Sequence, residues 1–226
     1  MTPQPLPPSR YRFPNPETAD SEEAIVCTGG DFAPSTVLEA YRNGIFPWPV
    51  DETFTPWCSP NPRAIFPLDG PAHCSRSLRR TMRSGRFRIT LDTAFDAVVE
   101  QCTHRDEGTW ITKRYRSCYR ALHKAGWAHS IEVWNDADAL VGGLYGIAIG
   151  AMFAGESMFH TATDASKVAF VRLSELLRGA GYELFDAQVP TPHLESLGCV
   201  PVARTQFLKQ LRHAIALSRE FPTISP

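Results

Sequence analysis

The chain has 226 residues, with 23 Lys and Arg against 24 Asp and Glu, a formal charge of −1 and 43% hydrophobic residues. That length supports a sizeable core, in one large domain or in a small domain joined to a larger one. The near-zero charge balance means that any anionic partner has to be met by local clustering of cations. Six cysteines, at 27, 58, 74, 102, 118 and 199, form no C-x-x-C pair, which argues against a zinc site or a disulfide scaffold and fits reduced, cytoplasmic thiols.

The N-terminus shows no basic flank followed by an apolar core, so no secretory signal is read there, and prolines at 3, 5, 7, 8, 14 and 16 favour an extended, mobile arm. Pro34 to Asn43 reads as a short helix stopped by Gly44. The following IFPWPV and WCSPNPR segments are irregular and aromatic, suited to walls and lids, although Trp48 and Trp57 beside prolines commonly plug a contact between lobes. From Arg76 to Arg88 there are six arginines, at 76, 79, 80, 83, 86 and 88, and no acidic residue. Arginine rows are often a solvated face, yet cations this crowded repel one another unless an anion is expected. Arg76, Arg79, Arg80 and Arg83 are therefore the candidate phosphate contacts.

Asp92 to Thr103 and Tyr115 to Ala125 read as helices, the second burying Tyr115, Cys118, Tyr119 and Leu122 and stopped by Gly126. His129 to Trp134 and Leu140 to Ile149 alternate around the turn residues 135–138 as an antiparallel hairpin, so the sheet is expected to be mixed. The uncharged run 139–155 is short for a membrane span and carries five glycines, which favours buried sheet. In AMFAGESMF, alternation predicts Met152, Ala154, Glu156 and Met158 on one face and Phe153, Gly155, Ser157 and Phe159 on the other. An amphipathic helix follows, with Asp164 as its N-cap and Gly181 as its stop, and then a strand over Tyr182 to Val189 that sets Asp186 and Gln188 on one side. Such a strand–helix–strand crossover brings Glu156, Asp186 and Gln188 toward one apolar cleft. By itself this pattern leaves open whether they do chemistry or serve as caps and ion-pair partners.

His129, His160 and His193 lack metal-ligand spacing and read as structural hydrogen-bonders. GESMF half-matches the G-x-S-x-G elbow, but Phe159 stands where the last glycine is needed, so Ser157 is a poor nucleophile.

GGDF, YRNGIFPWP, WCSPNPRAIF, SRSLRR, EGTWIT, AHSIEVW, GESMF, DASK, the pair Asp186 and Gln188, and HLESLG with Arg204, Phe207 and Leu208 occur in one collinear series. In it the chain resembles the leucyl/phenylalanyl-tRNA–protein transferase family from about Phe13 onward. The resemblance implies an α+β fold, with an N-terminal arm and small lobe over 1–62 and a C-terminal GNAT-like domain over 63–226 whose mixed sheet is flanked by helices. It implies transfer of Leu, also Phe and less well Met, from aminoacyl-tRNA to the α-amino group of proteins beginning with Arg or Lys. That tagging for degradation would be carried out by a cytoplasmic monomer without membrane, metal or cofactor. Asp186 with Gln188 would hold the amine and help remove its proton, and Glu156 would orient the reactants. Leu144, Phe153, Met158, Leu173, Leu177 and Phe185 would form the side-chain pocket, with Gly155 and Ser157 beside it. Trp48 would be a platform for an aromatic ring or nucleobase, and Trp110 would face the terminal adenosine. Family members often carry aromatics where Leu173 and Leu177 stand, which bears on the Leu-to-Phe preference. No (Q/R)xxGx(G/A) loop is present, as an acyl-CoA user requires. The rival expectations are an acyl-CoA N-acyltransferase and a non-catalytic tRNA-binding protein.

Overall fold

The structure is a computed structural model that describes residues 2–19, 24–104 and 108–224. Before residue 62 the chain forms β1 (Ile25–Thr28), α1 (Pro34–Arg42), β2 (Phe46–Pro47) and β3 (Pro56–Cys58), and these strands make a small antiparallel sheet in the order β1-β3-β2. Then follow β4 (Arg63–Phe66), α2 (Arg76–Arg83), β5 (Arg88–Leu91), α3 (Phe95–Gln101), α4 (Lys113–Lys124), β6 (Ala128–Trp134) and β7 (Leu140–Ile149). The chain ends with β8 (Met152–His160), α5 (Ala165–Gly179), β9 (Leu184–Gln188), α6 (Pro192–Ser196), β10 (Val200–Val202) and α7 (Arg204–Ala216).

The seven later strands form one sheet in the order β10-β4-β9-β8-β7-β6-β5. Among the described residues only β8 and β9 run parallel, joined through α5, so the architecture is the expected α+β fold with a mixed sheet flanked by helices. Each face buries its own core. On one side α1, α3, α4 and α7 cover Tyr145, Ile147, Met152 and Ala154. On the other, α5 lays Val168, Ala169, Leu173 and Leu177 over Leu144, Phe153 and Phe185, and Leu78 of α2 joins them. No helix among the described residues is long and apolar enough to cross a membrane.

Three local expectations are corrected. Asp164 precedes α5 in a left-handed conformation (φ 71°) and makes no cap bond; its carboxylate accepts from Thr81 Oγ1 at 3.0 Å instead. The third helix begins at Phe95 rather than Asp92, because Asp92 (φ 57°) is spent on the neighbouring strand, accepting from Ser130 N at 2.8 Å and lying 2.7 Å from His129 Nδ1. The proline-rich arm is extended but docked: Gln4 N donates to Ala125 O and Trp127 Nε1 to Gln4 O, each at 2.8 Å. Alternation on β8 also fails, because Tyr145 pairs with Ser157 while Gly146 pairs with Gly155, leaving Glu156 as the extra residue of a β-bulge. Met152 and Ala154 therefore pack on the α1 and α4 side, whereas Met158 turns to the α5 side.

The bulge needs a glycine opposite it. A Cβ on Gly146 would lie 2.2 Å from Ala154 O and 2.5 Å from the Phe153 ring. Gly146→Ala is expected to cost about 1–3 kcal/mol of stability through this overpacking, read as a lowered urea midpoint at unchanged slope.

Candidate active site

The parallel ladder between β8 and β9 ends at Ala154 and Asp186. Past that point β8 bulges at Glu156, and β9 bulges at Ala187, where Ala64 pairs with Gln188 but Ile65 with Asp186. The two strands thus part at the same level, and a cavity of about 250 Å³ opens between them. Its walls include Phe66, Leu144, Met158, Phe170 and Phe185 from one face of the sheet and Pro47, Trp48 and Trp110 from the other, with Gly155, Glu156, Ser157 and Gln188 along the parting strands. Trp48 and Trp110, singled out separately in the sequence, stack with centroids 6.2 Å apart and planes 29° apart at this cavity. Trp57 takes the plugging role instead, buried with Nε1 on Gly29 O and its ring against Phe13 and Phe32.

Glu156 is held by three donors. Tyr41 Oη donates to Oε1, Tyr115 Oη donates to Oε2 at 2.7 Å, and Gln188 Nε2 donates to Oε1 at 3.3 Å. Tyr119 bonds Tyr41 Oη at 2.9 Å and stacks on Tyr115 at 3.9 Å, so a tyrosine floor carries the carboxylate. Burial raises the Glu156 carboxyl to about 7, opposed by its three hydrogen bonds and slightly reinforced by Asp186. Burial and then Glu156 push Tyr41 and Tyr115 well above the ordinary phenol range, so both remain protonated donors. With the Gln188 amide nitrogen given to Glu156, its amide oxygen is the acceptor left for a ligand.

Asp186 does not reach the cavity, contrary to the expectation that it contacts the amine. It is 1% exposed, and Arg63 grips it with Nε to Oδ1 at 2.8 Å and Nη2 to Oδ2 at 2.6 Å. Arg63 is itself buried between the rings of Phe46 and Phe207, and its Nη1 donates to Gly44 O. Asp186 Oδ1 also accepts from Gln188 N at 2.9 Å, fixing a residue whose φ is 65°. The acid thus supports Gln188 from behind.

Phe153, Leu173 and Leu177 are buried beneath the cavity rather than lining it. Phe153 packs edge-on against Phe185 at 5.3 Å, so these residues set the walls from a second layer. Arg76, Arg79, Arg80 and Arg83 are exposed on α2. The arginine segment is not wholly uncompensated, since Arg88 pairs with Asp138 at 2.7 Å and Arg86 donates to Thr163 O. His129 is structural, lodged between Asp92 and Gly126 O, but His193 lines the cavity, where sequence spacing had no signal for it. Glu107 of EGTWIT lies outside the described residues. Among those described, no three His, Cys, Asp or Glu side chains are grouped to hold a metal ion.

Residues 65–212 match the family model described as leucyl/phenylalanyl-tRNA protein transferase, and residues 30–61 match the model of that family's N-terminal domain. The chain belongs to this family of aminoacyltransferases. A leucyl/phenylalanyl-tRNA–protein transferase of Anaeromyxobacter dehalogenans (strain 2CP-C) is 48% identical over 222 residues, 96% of this chain and 92% of that one. Another, of Shewanella baltica (strain OS185), is 47% identical over 204 residues, 88% and 85% of the two chains. Solved structures are more distant. L-PGS from Bacillus licheniformis matches at TM-score 0.44 and 11% identity over 69% of this chain and 65% of that one. A GCN5-related N-acetyltransferase from Sphaerobacter thermophilus matches at 0.39 and 15% over 75% and 53%.

Two stability measurements probe the groups around this cavity. Arg63→Met strands a buried carboxylate and is expected to cost about 3–5 kcal/mol in denaturant unfolding. Glu156, raised from 4.5 to about 7, keeps its proton in the folded state where the unfolded chain has lost it. Stability is therefore expected to fall on the order of 1–3 kcal/mol between pH 5 and 8, and Glu156→Gln should remove that component of the pH dependence.

Proposed function

We propose that the protein transfers leucine, also phenylalanine and less well methionine, from the 3′ ester of its tRNA to the free α-amino group of polypeptides beginning with Arg or Lys, tagging them for degradation. It acts in the cytoplasm as a monomer. The observation that carries this reading is the bridge from Glu156 to Gln188 on the wall of a largely apolar cavity. The cavity suits one amino-acid side chain and its ester. Leu144, Met158, Phe170 and Phe185 take the side chain, while Trp48 and Trp110 take the terminal adenosine, since stacking accepts any base. Arg76, Arg79, Arg80 and Arg83 hold the acceptor stem by its phosphates, which positions without reading sequence.

The donor ester is already activated, and an α-amine with a pKa of about 7.7–8.0 is partly neutral near pH 7. Alignment therefore supplies most of the acceleration, roughly 7–11 kcal/mol where it is good. The Gln188 amide oxygen accepts one N–H of the amine and aims its lone pair at the ester carbonyl. As the C–N bond forms, Glu156, with a pKa of about 7, takes the amine's proton. The C–O bond to the tRNA then breaks, and that proton passes to the departing ribose oxygen. Asp186 and Arg63 act as positioning residues that hold Gln188 in place.

Labelled Leu-tRNA with a peptide beginning in Arg tests the reading. Glu156→Gln is expected to lower kcat about 10²–10⁴-fold and to strip the limb near pH 7 from the rate profile, leaving the amine's own limb at about 7.7–8.0. Full activity in that variant, or equal transfer to an N-acetylated peptide, contradicts the proposal. Arg80→Ala should weaken tRNA binding with little change in kcat.

A further inference from the structure

Between the cavity and the arginine face of α2 lies a joint that the reaction above leaves unused. β8 runs from the cavity, which Gly155 to Met158 line, to His160 at its end. The turn after it is fastened to the arginine segment twice, by Thr81 Oγ1 to Asp164 Oδ2 at 3.0 Å and by Arg86 Nη2 to Thr163 O at 2.7 Å. Lys167 stands in the first turn of α5, its ammonium 3.7 Å from Asp164 Oδ1 in a loose contact that leaves the side chain 44% exposed. His160 Nδ1 lies 3.4 Å from Ser166 Oγ. His193, from α6, lines the cavity itself, and its pKa is lowered first by burial and then by Lys167 and His160, each of which acts on it.

Arg76, Arg79, Arg80 and Arg83 thus lie on the helix tied to this turn, Lys167 beside the turn, His160 at the end of β8 and His193 at the cavity. We infer that Lys167, with His160 and His193, holds the phosphates of the donor tRNA's single-stranded 3′ end where it passes from the arginine helix into the cavity. The inference rests on the aminoacyl-tRNA reading above. A nucleoside against Trp48 and Trp110 is joined to a duplex on the arginine face by phosphodiesters that have to cross this joint, and each one brings a negative charge to it. A lysine ammonium is a point charge on a flexible stem, able to follow a phosphate of variable position. An imidazole offers an N–H donor in either protonation state. Asp164 meets the ammonium only at 3.7 Å, which leaves the lysine side chain 44% exposed and open to a second anion.

The test compares two donors, Leu-tRNA and leucyl-adenosine, the second having no phosphate, with the same Arg peptide. Lys167→Met is expected to raise the KM for Leu-tRNA about tenfold, the ordinary weight of one charged hydrogen bond, with kcat and the leucyl-adenosine KM within about twofold. It should also reduce the slope of log KM against log salt by about 0.7, the value for one phosphate on a single strand. Lys167→Arg should restore both quantities, and His193→Gln should shift the Leu-tRNA KM in the same direction, which covers a poorly folding Lys167→Met. An unchanged Leu-tRNA KM, or an equal shift with both donors, overturns the inference while leaving the proposed function standing. Failure of the unmodified protein to transfer from either donor overturns the proposed function and this inference with it.

Discussion

The structure depends on the point at which β8 and β9 stop sharing hydrogen bonds. Up to Ala154 and Asp186 they are a regular parallel pair, and directly beyond it each carries one extra residue, Glu156 on one strand and Ala187 on the other. Two bulges at one level turn the strands apart, so the gap becomes a cavity instead of a filled core. Across it the Gln188 amide reaches the Glu156 carboxylate. In open, mostly parallel α/β sheets ligands sit beyond the carboxyl ends of the strands, where neighbouring connections diverge. Here the divergence lies within the strands themselves.

Holding that gap in shape requires groups that would be costly in isolation. A fully buried arginine and aspartate repay their desolvation only when geometry is good and remaining donors are satisfied. Arg63 meets this with a two-point grip on Asp186, a bond to Gly44 O and phenyl rings on either side. The return is the placement of Gln188, whose backbone N–H is taken by the same carboxylate and whose left-handed φ would otherwise be disfavoured. Glu156 rests on tyrosines in the same way. Stacked and hydrogen-bonded to one another, they cannot follow a shifting ligand, so the carboxylate is held before any substrate arrives.

Much of this was legible in the sequence. Period-two alternation located the β6–β7 hairpin, the apolar stripe of α4 was correctly assigned, and the crossover placed Glu156 beside Asp186 and Gln188. The bulge at Glu156 is not legible there, because one inserted residue leaves no trace in an alternating pattern, and it carries Met158 to the face opposite the one that alternation predicts. Arg63 was missed because its partner is 123 positions away in the chain. Tyr41 and Tyr115 carry a usable signal, since phenol hydroxyls on buried stripes need acceptors, and here Glu156 supplies them. Leu173 and Leu177 lie one layer beneath the cavity, a placement not legible from helical spacing, which identifies a buried face but not its depth.

The cavity draws its greasy wall from the α5 side of the sheet and the tyrosines that hold its carboxylate from the α1 and α4 side. Because the hydrogen-bonded frame lies between them, a change at Leu144, Phe170 or, one layer down, Leu173 can resize the berth for a donor without disturbing the tyrosines behind Glu156. Substrate taste and chemical step are thereby free to drift independently, and relatives of this chain can diverge in what they carry while keeping how they hand it over.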